Sequence, residues 1–265
     1  MRVYVEGIGI KGVGFENWAS TAAILTGQSD YAPSPVTITP TPLLPANERR
    51  RMVQTVKLSI QVGTEAFENA KRNPQDTATI FTSSGGDGET IHGILEALAS
   101  TERDVSPTRF HNSVHNAPSG YWSIATKTHE PTTSLCIHDA SFTGGLLEAA
   151  AQATVDDRAV GLISYDLPYP EPLHSVRPIG STFAVSLILT PSPSEASFAC
   201  LTISLEPPTP PTTMTDPRWE AIRVGNPSAR SLPLLEALAK GAETTVSLEN
   251  VAGNSVKIAV SRNVA

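Results

Sequence analysis

Cysteine is scarce in this chain: Cys136 and Cys200 are the two thiols in 265 residues, each within a β-rich run. Two cysteines in a chain this long make no disulfide framework, and they read as small core residues of a cytoplasmic protein. Long apolar runs are also missing. Nothing approaches the roughly 18 apolar residues of a membrane span, and the first ten residues, interrupted by Glu6, Gly7 and Gly9, lack the apolar stretch of a signal peptide. Basic clusters are absent apart from Arg49-Arg50-Arg51, and the net charge is −7, which argues against a nucleic-acid or anionic-membrane partner. His111 and His115 are four apart and would share a helix face, but no glutamate follows His111 and no third ligand is evident. Satisfied structural histidines are therefore expected, with no metal and no cofactor.

What is present is enough apolar residue, 40%, for one domain with a sizeable core. Val3 to Ile10 reads as a strand running into Gly7-x-Gly9-x-x-Gly12, with a helix from Trp18 to Thr26. On paper this is a dinucleotide fingerprint. The proline-rich stretch from Ala32 onward stands where a second strand ending in an acidic residue is required, so the glycines are read as permitting a tight strand exit. Pro33 to Pro45 is a surface loop and Asn47 to Ala70 one helix, stopped by Asn73-Pro74. Thr77 to Thr82 is a strand, Ser83 to Gly88 a plain strand-helix turn without the lysine of a P-loop, and Glu89 to Leu98 a helix. Arg158 to Tyr165 is a strand. Phe183 to Thr190 and Ser197 to Leu205 alternate as two adjacent strands, and Glu206 to Thr215 is an extended proline-threonine linker. Leu232 to Lys240 is a helix, and Thr244 to Leu248 with Val256 to Ser261 form a hairpin through Asn250 to Asn254. That tail is too small for a domain and must join the main sheet or cover it. The alternation predicts an α/β fold with helices layered on a sheet.

The stretch Thr133 to Ala153 organises the rest: a buried strand, a tight turn at Ser141, Gly144 and Gly145 for close passage, and a helix from Thr143 to Thr154. A side chain at such an elbow lies beside the unpaired amides of a helix N-terminus, which favour developing negative charge. Ser141 is the candidate nucleophile. The segment Ser106 to Trp122 is unusually rich in polar groups, among them His111, Asn112, His115, Asn116 and Tyr121.

Five motifs in order carry a resemblance: Tyr4-Val-Glu-Gly-Ile-Gly-Ile, Leu44-Pro-x-x-x-Arg-Arg-Arg-Met, Thr79-Ile-Phe-Thr-Ser-Ser-Gly-Gly, Ser106-Pro-Thr-Arg-Phe-x-Asn-Ser-Val-x-Asn-Ala and Ala140-Ser-Phe-Thr-Gly-Gly. Together they resemble the amino-terminal half of a β-ketoacyl synthase over about residues 1–205. The resemblance implies a thiolase-like fold with a layered α-β-α amino-terminal half (1–205), a linker (206–216) and an abridged carboxy-terminal segment (217–265).

Two departures bear on function. The family carries a cysteine nucleophile at the elbow, and the matching position here is Ser141, whose hydroxyl needs an oriented general base where a thiolate does not. The family's catalytic histidines lie in its second half, whereas no histidine follows His174. The pattern is similar to the chain-length factors of type II polyketide and fatty-acid-like systems, the short form to those of aryl polyene clusters. The resemblance thus implies a non-catalytic subunit that pairs with an active ketosynthase and shapes the acyl tunnel, with His111, Asn112, His115, Asn116, Tyr121, Ser141 and Phe142 at the interface or tunnel. Three rivals stay open: a serine acyltransferase or hydrolase using Ser141 with His138 or His115, a structural homodimer, and a module that contacts an acidic acyl carrier protein through Arg49 to Arg51.

Overall fold

The computed structural model describes residues 1–251 and 253–262. The elements in order are β1 (Arg2–Gly12), α1 (Trp18–Leu25), α2 (Ala46–Arg51), α3 (Gln54–Ala70), β2 (Ala78–Thr82), α4 (Gly88–Ala99), α5 (Pro107–Asn112), α6 (Ala117–Thr126) and β3 (Thr132–Leu135). There follow α7 (Ser141–Val155), β4 (Val160–Asp166), α8 (Leu173–Val176), β5 (Phe183–Thr190), β6 (Ala199–Glu206), α9 (Pro217–Gly225), α10 (Leu232–Lys240), β7 (Thr244–Glu249) and β8 (Ser255–Arg262). All eight strands form one sheet in the order β3-β2-β4-β5-β1-β6-β8-β7. β2 is parallel to β3 and β4, and the remaining pairings are antiparallel.

Alternation along the strands splits the core in two. Val160 and Leu162 of β4 and Phe183, Val185, Leu187 and Leu189 of β5 point to one face, where α1, α7 and α10 bury Leu25, Phe142, Leu146 and Leu235. Ile163, Tyr165, Ala184 and Ile188 point to the other, covered by α3 and α6 through Val56, Ile60, Phe67 and Trp122. The expected α/β layering is present. The tail does join the sheet: β8 pairs with β6, and β7 closes that end. The described part of the hairpin turn omits Ala252.

Several expectations are corrected. β5 and β6 are not adjacent, because β1 lies between them and pairs with both; the 191–198 connection crosses it, with Phe198 N–H donating to Val5 C=O at 3.0 Å. The single helix expected over 47–70 is broken at Met52 and Val53, whose ψ angles of 128° and 169° are extended. Asn112 Nδ2 donates to Arg51 C=O at 2.9 Å and so takes the acceptor that helix continuation needs. The break leaves α2, which has no buried residue, outside, and turns the apolar face of α3 inward. Of the three fingerprint glycines, Gly12 ends β1 in a tight turn that pairs it with Phe15, while Gly7 and Gly9 lie inside the strand. Gly7 and Gly9 lie beneath α3, where a Cβ would collide with the carbonyls of Ala66 and Val62, so they permit close helix-sheet approach. Glu65 occupies the amides beyond, accepting Ile10 N–H at 3.0 Å and Trp18 N–H at 2.5 Å.

α9 was not expected, although Asp216 and Pro217 spell its start: Asp216 Oδ1 accepts Arg218 N–H at 2.8 Å and proline stands first. The proline-threonine segment is extended and has a definite place. Thr212 N–H donates to Ser247 C=O at 2.9 Å, and its Oγ1 accepts Ser247 N–H at 2.9 Å, which covers the outer edge of β7.

Candidate functional site

The organising elbow keeps its order and changes its burial. β3 is a half-exposed edge strand, not a buried one, because α6 and α7 cover only its sides and, among the described residues, no strand lies beyond it. Cys136 follows it and is exposed; Cys200, on β6, is the buried thiol. A short turn over His138–Ala140 then leads into α7, which opens at Ser141, two residues before the expected Thr143. The two glycines serve side-chain packing: Ile137 sits where a Cβ of Gly144 would stand, and Thr82 and Leu162 do the same at Gly145.

Ser141 is fully buried. Its hydroxyl donates to His138 C=O at 2.7 Å and accepts Ile137 N–H at 2.9 Å, so both bonds close the turn. His138 needs that brace, since its φ of +49° is left-handed and unfavourable for a residue with a Cβ. The imidazoles are engaged elsewhere. The exposed His138 ring places Nδ1 3.6 Å from Asp139, and His115 Nε2–H donates to Ser83 C=O at 3.2 Å. Among the described residues no histidine ring holds a hydrogen bond to Ser141 Oγ.

Two polar clusters near the elbow were missed in the sequence. Asp139 accepts Arg177 at 2.5 Å and Arg230 at 3.2 Å, and Arg230 continues to Glu249. Burial raises the Asp139 pKa, but Arg177 and Arg230 outweigh it and hold the carboxyl below its usual range. The chain of charges ties the elbow to the carboxy-terminal segment. Beneath it Asp166, 2% exposed, accepts Ser83 Oγ at 3.2 Å, Ser84 N–H at 2.8 Å, Ser84 Oγ at 2.7 Å and Ser228 Oγ at 2.7 Å. Burial pushes its pKa up against those four donors. A charged residue ending an apolar strand was the available signal. Its partner Ser228 lies 62 residues away, which no local pattern reveals.

The remaining candidate residues gather on the opposite face of the sheet from Ser141 and Phe142, the latter buried in the core from the first turn of α7. His111 lies in the last turn of α5 and its ring stands edge-on to Tyr121, with centroids 5.9 Å apart. Because α5 stops at Asn112, His111 and His115 share no helix face. Asn112 is buried and bonds Arg51 and Thr108 carbonyls, while Asn116 is exposed at the start of α6. Pro107, Phe110, Val114, Gly120, Tyr121 and Ile124 line a cleft of about 500 Å³. Among the described residues no three His, Cys, Asp or Glu side chains are placed to hold a metal ion, and no helix is long and apolar enough to cross a membrane.

Sheet, flanking helices and elbow are those of the thiolase-like fold. The chain belongs to the family described as the beta-ketoacyl synthase, N-terminal domain, whose model matches residues 16–249. Similar solved chains come from the ketosynthase ApeO in complex with its chain length factor ApeC from Xenorhabdus doucetiae, with TM-score 0.73, 22% identity, and 99% of this chain and 100% of that one covered. A chain of the ishigamide ketosynthase/chain length factor matches with TM-score 0.71 and 11% identity, covering 99% of each. A chain of AntDE:AntF, a type II polyketide synthase acyl-carrier protein in complex with its hexaketide-bound ketosynthase, matches with TM-score 0.74 and 10% identity, covering 98% and 99%. At these identities the likeness is one of fold. Curated protein sequences return no match.

Proposed function

We propose that this chain is a non-catalytic, chain-length-factor-like subunit that pairs with an active β-ketoacyl-carrier-protein synthase in a type II polyketide or fatty-acid-like pathway of the aryl polyene kind, and that it helps shape the acyl tunnel. The observation that carries the reading is the state of Ser141. Its hydroxyl is buried, its proton is given to the His138 carbonyl, and among the described residues no general base bonds it. An acyl thioester carbonyl needs a free lone pair on an exposed, deprotonated or base-activated atom. The division into a synthase-like half (1–205), a linker (206–216) and an abridged segment (217–265) belongs to the same reading.

Support for pairing comes from the open end of the sheet. Thr79 N–H and Ser83 N–H bond the carbonyls of Pro131 and Leu135, so by strand alternation the backbone groups of Thr132 and Ser134 face outward without a strand partner. An unpaired edge is a template for a strand of another chain. The solved chains of this fold named above were found in complexes containing a ketosynthase. On this reading His111, Asn112, His115, Asn116 and Tyr121 face the partner or the tunnel, and Ser141 and Phe142, buried on the other face of the sheet, contribute only by holding the shape of the elbow. The exposed Arg50 and Arg51 are available to an acidic acyl carrier protein.

Two measurements test it. Tagged chain co-expressed with the cysteine-bearing ketosynthase of the same operon should co-purify with it in equal amounts; a soluble, monodisperse chain that leaves the ketosynthase behind would end the pairing. Incubation of the isolated chain with an acyl-carrier thioester should add no mass. A Ser141 adduct that Ser141→Ala removes would make the chain a serine acyltransferase instead.

A further inference from the structure

We infer that Asp166 and the serines around it form a proton-controlled clasp, which ties the loop ahead of α4 to the carboxy-terminal segment while Asp166 is a neutral acid and loosens as it ionises. The clasp goes beyond the pairing proposed above and does not depend on it. β4 ends on Asp166, and two segments far apart in sequence meet there. One is Ser83 and Ser84, which open the loop running through Gly85 and Gly86 to α4; the other is Ser228, which opens a short turn over Ser228–Ser231. Asn226 pins the second, donating to Asp166 C=O at 3.0 Å and Ser181 C=O at 2.7 Å and accepting Ser228 N–H at 2.9 Å. Ser83, Ser164, Asn226 and Ser228 are fully buried.

The two carboxyl oxygens meet different partners. Oδ1 takes Ser84 N–H at 2.8 Å, Ser84 Oγ at 2.7 Å and Ser83 Oγ at 3.2 Å; Ser83 Oγ itself accepts Gly86 N–H at 3.0 Å, which leaves its own proton for Asp166. Among the described residues Oδ2 meets Ser228 Oγ alone, at 2.7 Å, and that oxygen lies 2.8 Å from Ser164 Oγ. A hydroxyl accepts as readily as it donates. A proton on Oδ2 therefore has an acceptor in Ser228, which turns its own proton to Ser164. The ionised form keeps four hydrogen bonds, yet every donor is neutral, and among the described residues no cation pairs with Asp166. A buried carboxylate is costly without one. The titratable groups nearby do not supply it. Tyr165 of β4, Tyr169 beyond it, Asp87 ahead of α4 and Cys136 after β3 are acids. His115 bonds Ser83 C=O, Arg177 bonds Asp139, and Arg230 bonds Asp139 and Glu249. Burial accordingly raises the Asp166 pKa despite its donors. An opened loop returns the carboxyl to water and to its ordinary value, so ionisation favours opening and protonation favours closure.

Hydrogen exchange of single amides in the full chain, followed from about pH 5 to about pH 8 and corrected for intrinsic rates, tests the clasp. Below the folded pKa of Asp166 opening releases one proton, so the opening constants at Ser84 and Ser228 should rise together, about tenfold per pH unit, and level off above it. Ile163 and Val185, within the β4–β5 ladder, should stay more protected throughout, which marks the opening as local. Asp166→Asn stays uncharged, accepts at Oδ1 and donates to Ser228 from Nδ2, so its profile should be flat. A flat wild-type profile would overturn the clasp. So would protection that grows with pH, different slopes at Ser84 and Ser228, exchange of both only together with Ile163 and Val185, or a slope that Asp166→Asn keeps. Should the variant not fold, the Asp166 carboxyl carbon in NMR decides: titration above the ordinary carboxylate value supports the clasp, and titration at or below it overturns it. None of these readouts involves the ketosynthase, so the pairing stands or falls separately.

Discussion

The two ends of the sheet are finished in opposite ways. At one end Thr212 takes both outward backbone groups of Ser247, and Thr209 bonds Ser255 and Ser247 beside it. The covering segment carries Pro207, Pro208, Pro210 and Pro211, which have no N–H to offer. It satisfies β7 without becoming a new edge. At the other end β3 is four residues long, with Thr132 and Ser134 facing outward, and an apolar cleft lies beside it. Both are edges of one sheet, so backbone chemistry is the same. What differs is the covering: one end is capped and the other is open, and the proposed pairing rests on that difference.

The comparison breaks most readily at the open end. Ser134→Pro deletes one outward N–H while sparing the ladder to β2, a place where an edge strand tolerates proline. Ketosynthase affinity should fall at least about 100-fold, with the unfolding midpoint nearly unchanged; retained affinity in the titration would show that β3 is not joined. At the closed end Thr212→Pro removes both bonds to Ser247 and should cost about 2 kcal/mol in denaturant unfolding. The newly exposed β7 edge should also make the chain self-associate in light scattering. Thr212→Val keeps the N–H donor and should cost only about 1 kcal/mol, without association.

The smallest effect concerns acid. The Asp139 pKa is depressed, so the unfolded chain binds more protons near the ordinary carboxylate value, and the contribution to stability is full above about pH 3.8 and lost as pH falls through the lower folded value. Asp139→Asn should flatten the fall in unfolding free energy over that range. The buried Asp166 has the opposite sign: its raised folded pKa favours the protonated form, a contribution lost as pH rises through it. An unchanged acid slope in Asp139→Asn would show that the clamp to Arg177 and Arg230 does not couple the elbow to the carboxy-terminal segment.

Much of the elbow was legible because its signals are local. Leu135, Ile137, Gly144 and Gly145 announce a strand, a turn and a close-packed helix within a dozen residues, and the helix is present over Ser141–Val155. The same locality misled where a partner was distant. Cys136 was expected in the core, yet β3 is an edge and the thiol is exposed. The run from Asn47 to Ala70 has continuous helical periodicity, yet it breaks at Met52 and Val53, where the distant Asn112 side chain takes the Arg51 carbonyl. Gly7 and Gly9 fit a nucleotide fingerprint until α3 is found lying across them.

The sequence by itself determined the order of the strands along the chain, the serine in place of a thiol at 141, and the absence of histidine beyond His174, because these are properties of residue identity and short-range pattern. Only the tertiary structure decided that β1 separates β5 from β6, that Ser228 and Ser84 meet on Asp166, and that Thr212 shuts one edge while β3 stays open. Each of those depends on groups far apart along the chain, whose meeting is set by how the whole sheet closes its core, and composition and spacing carry no record of it.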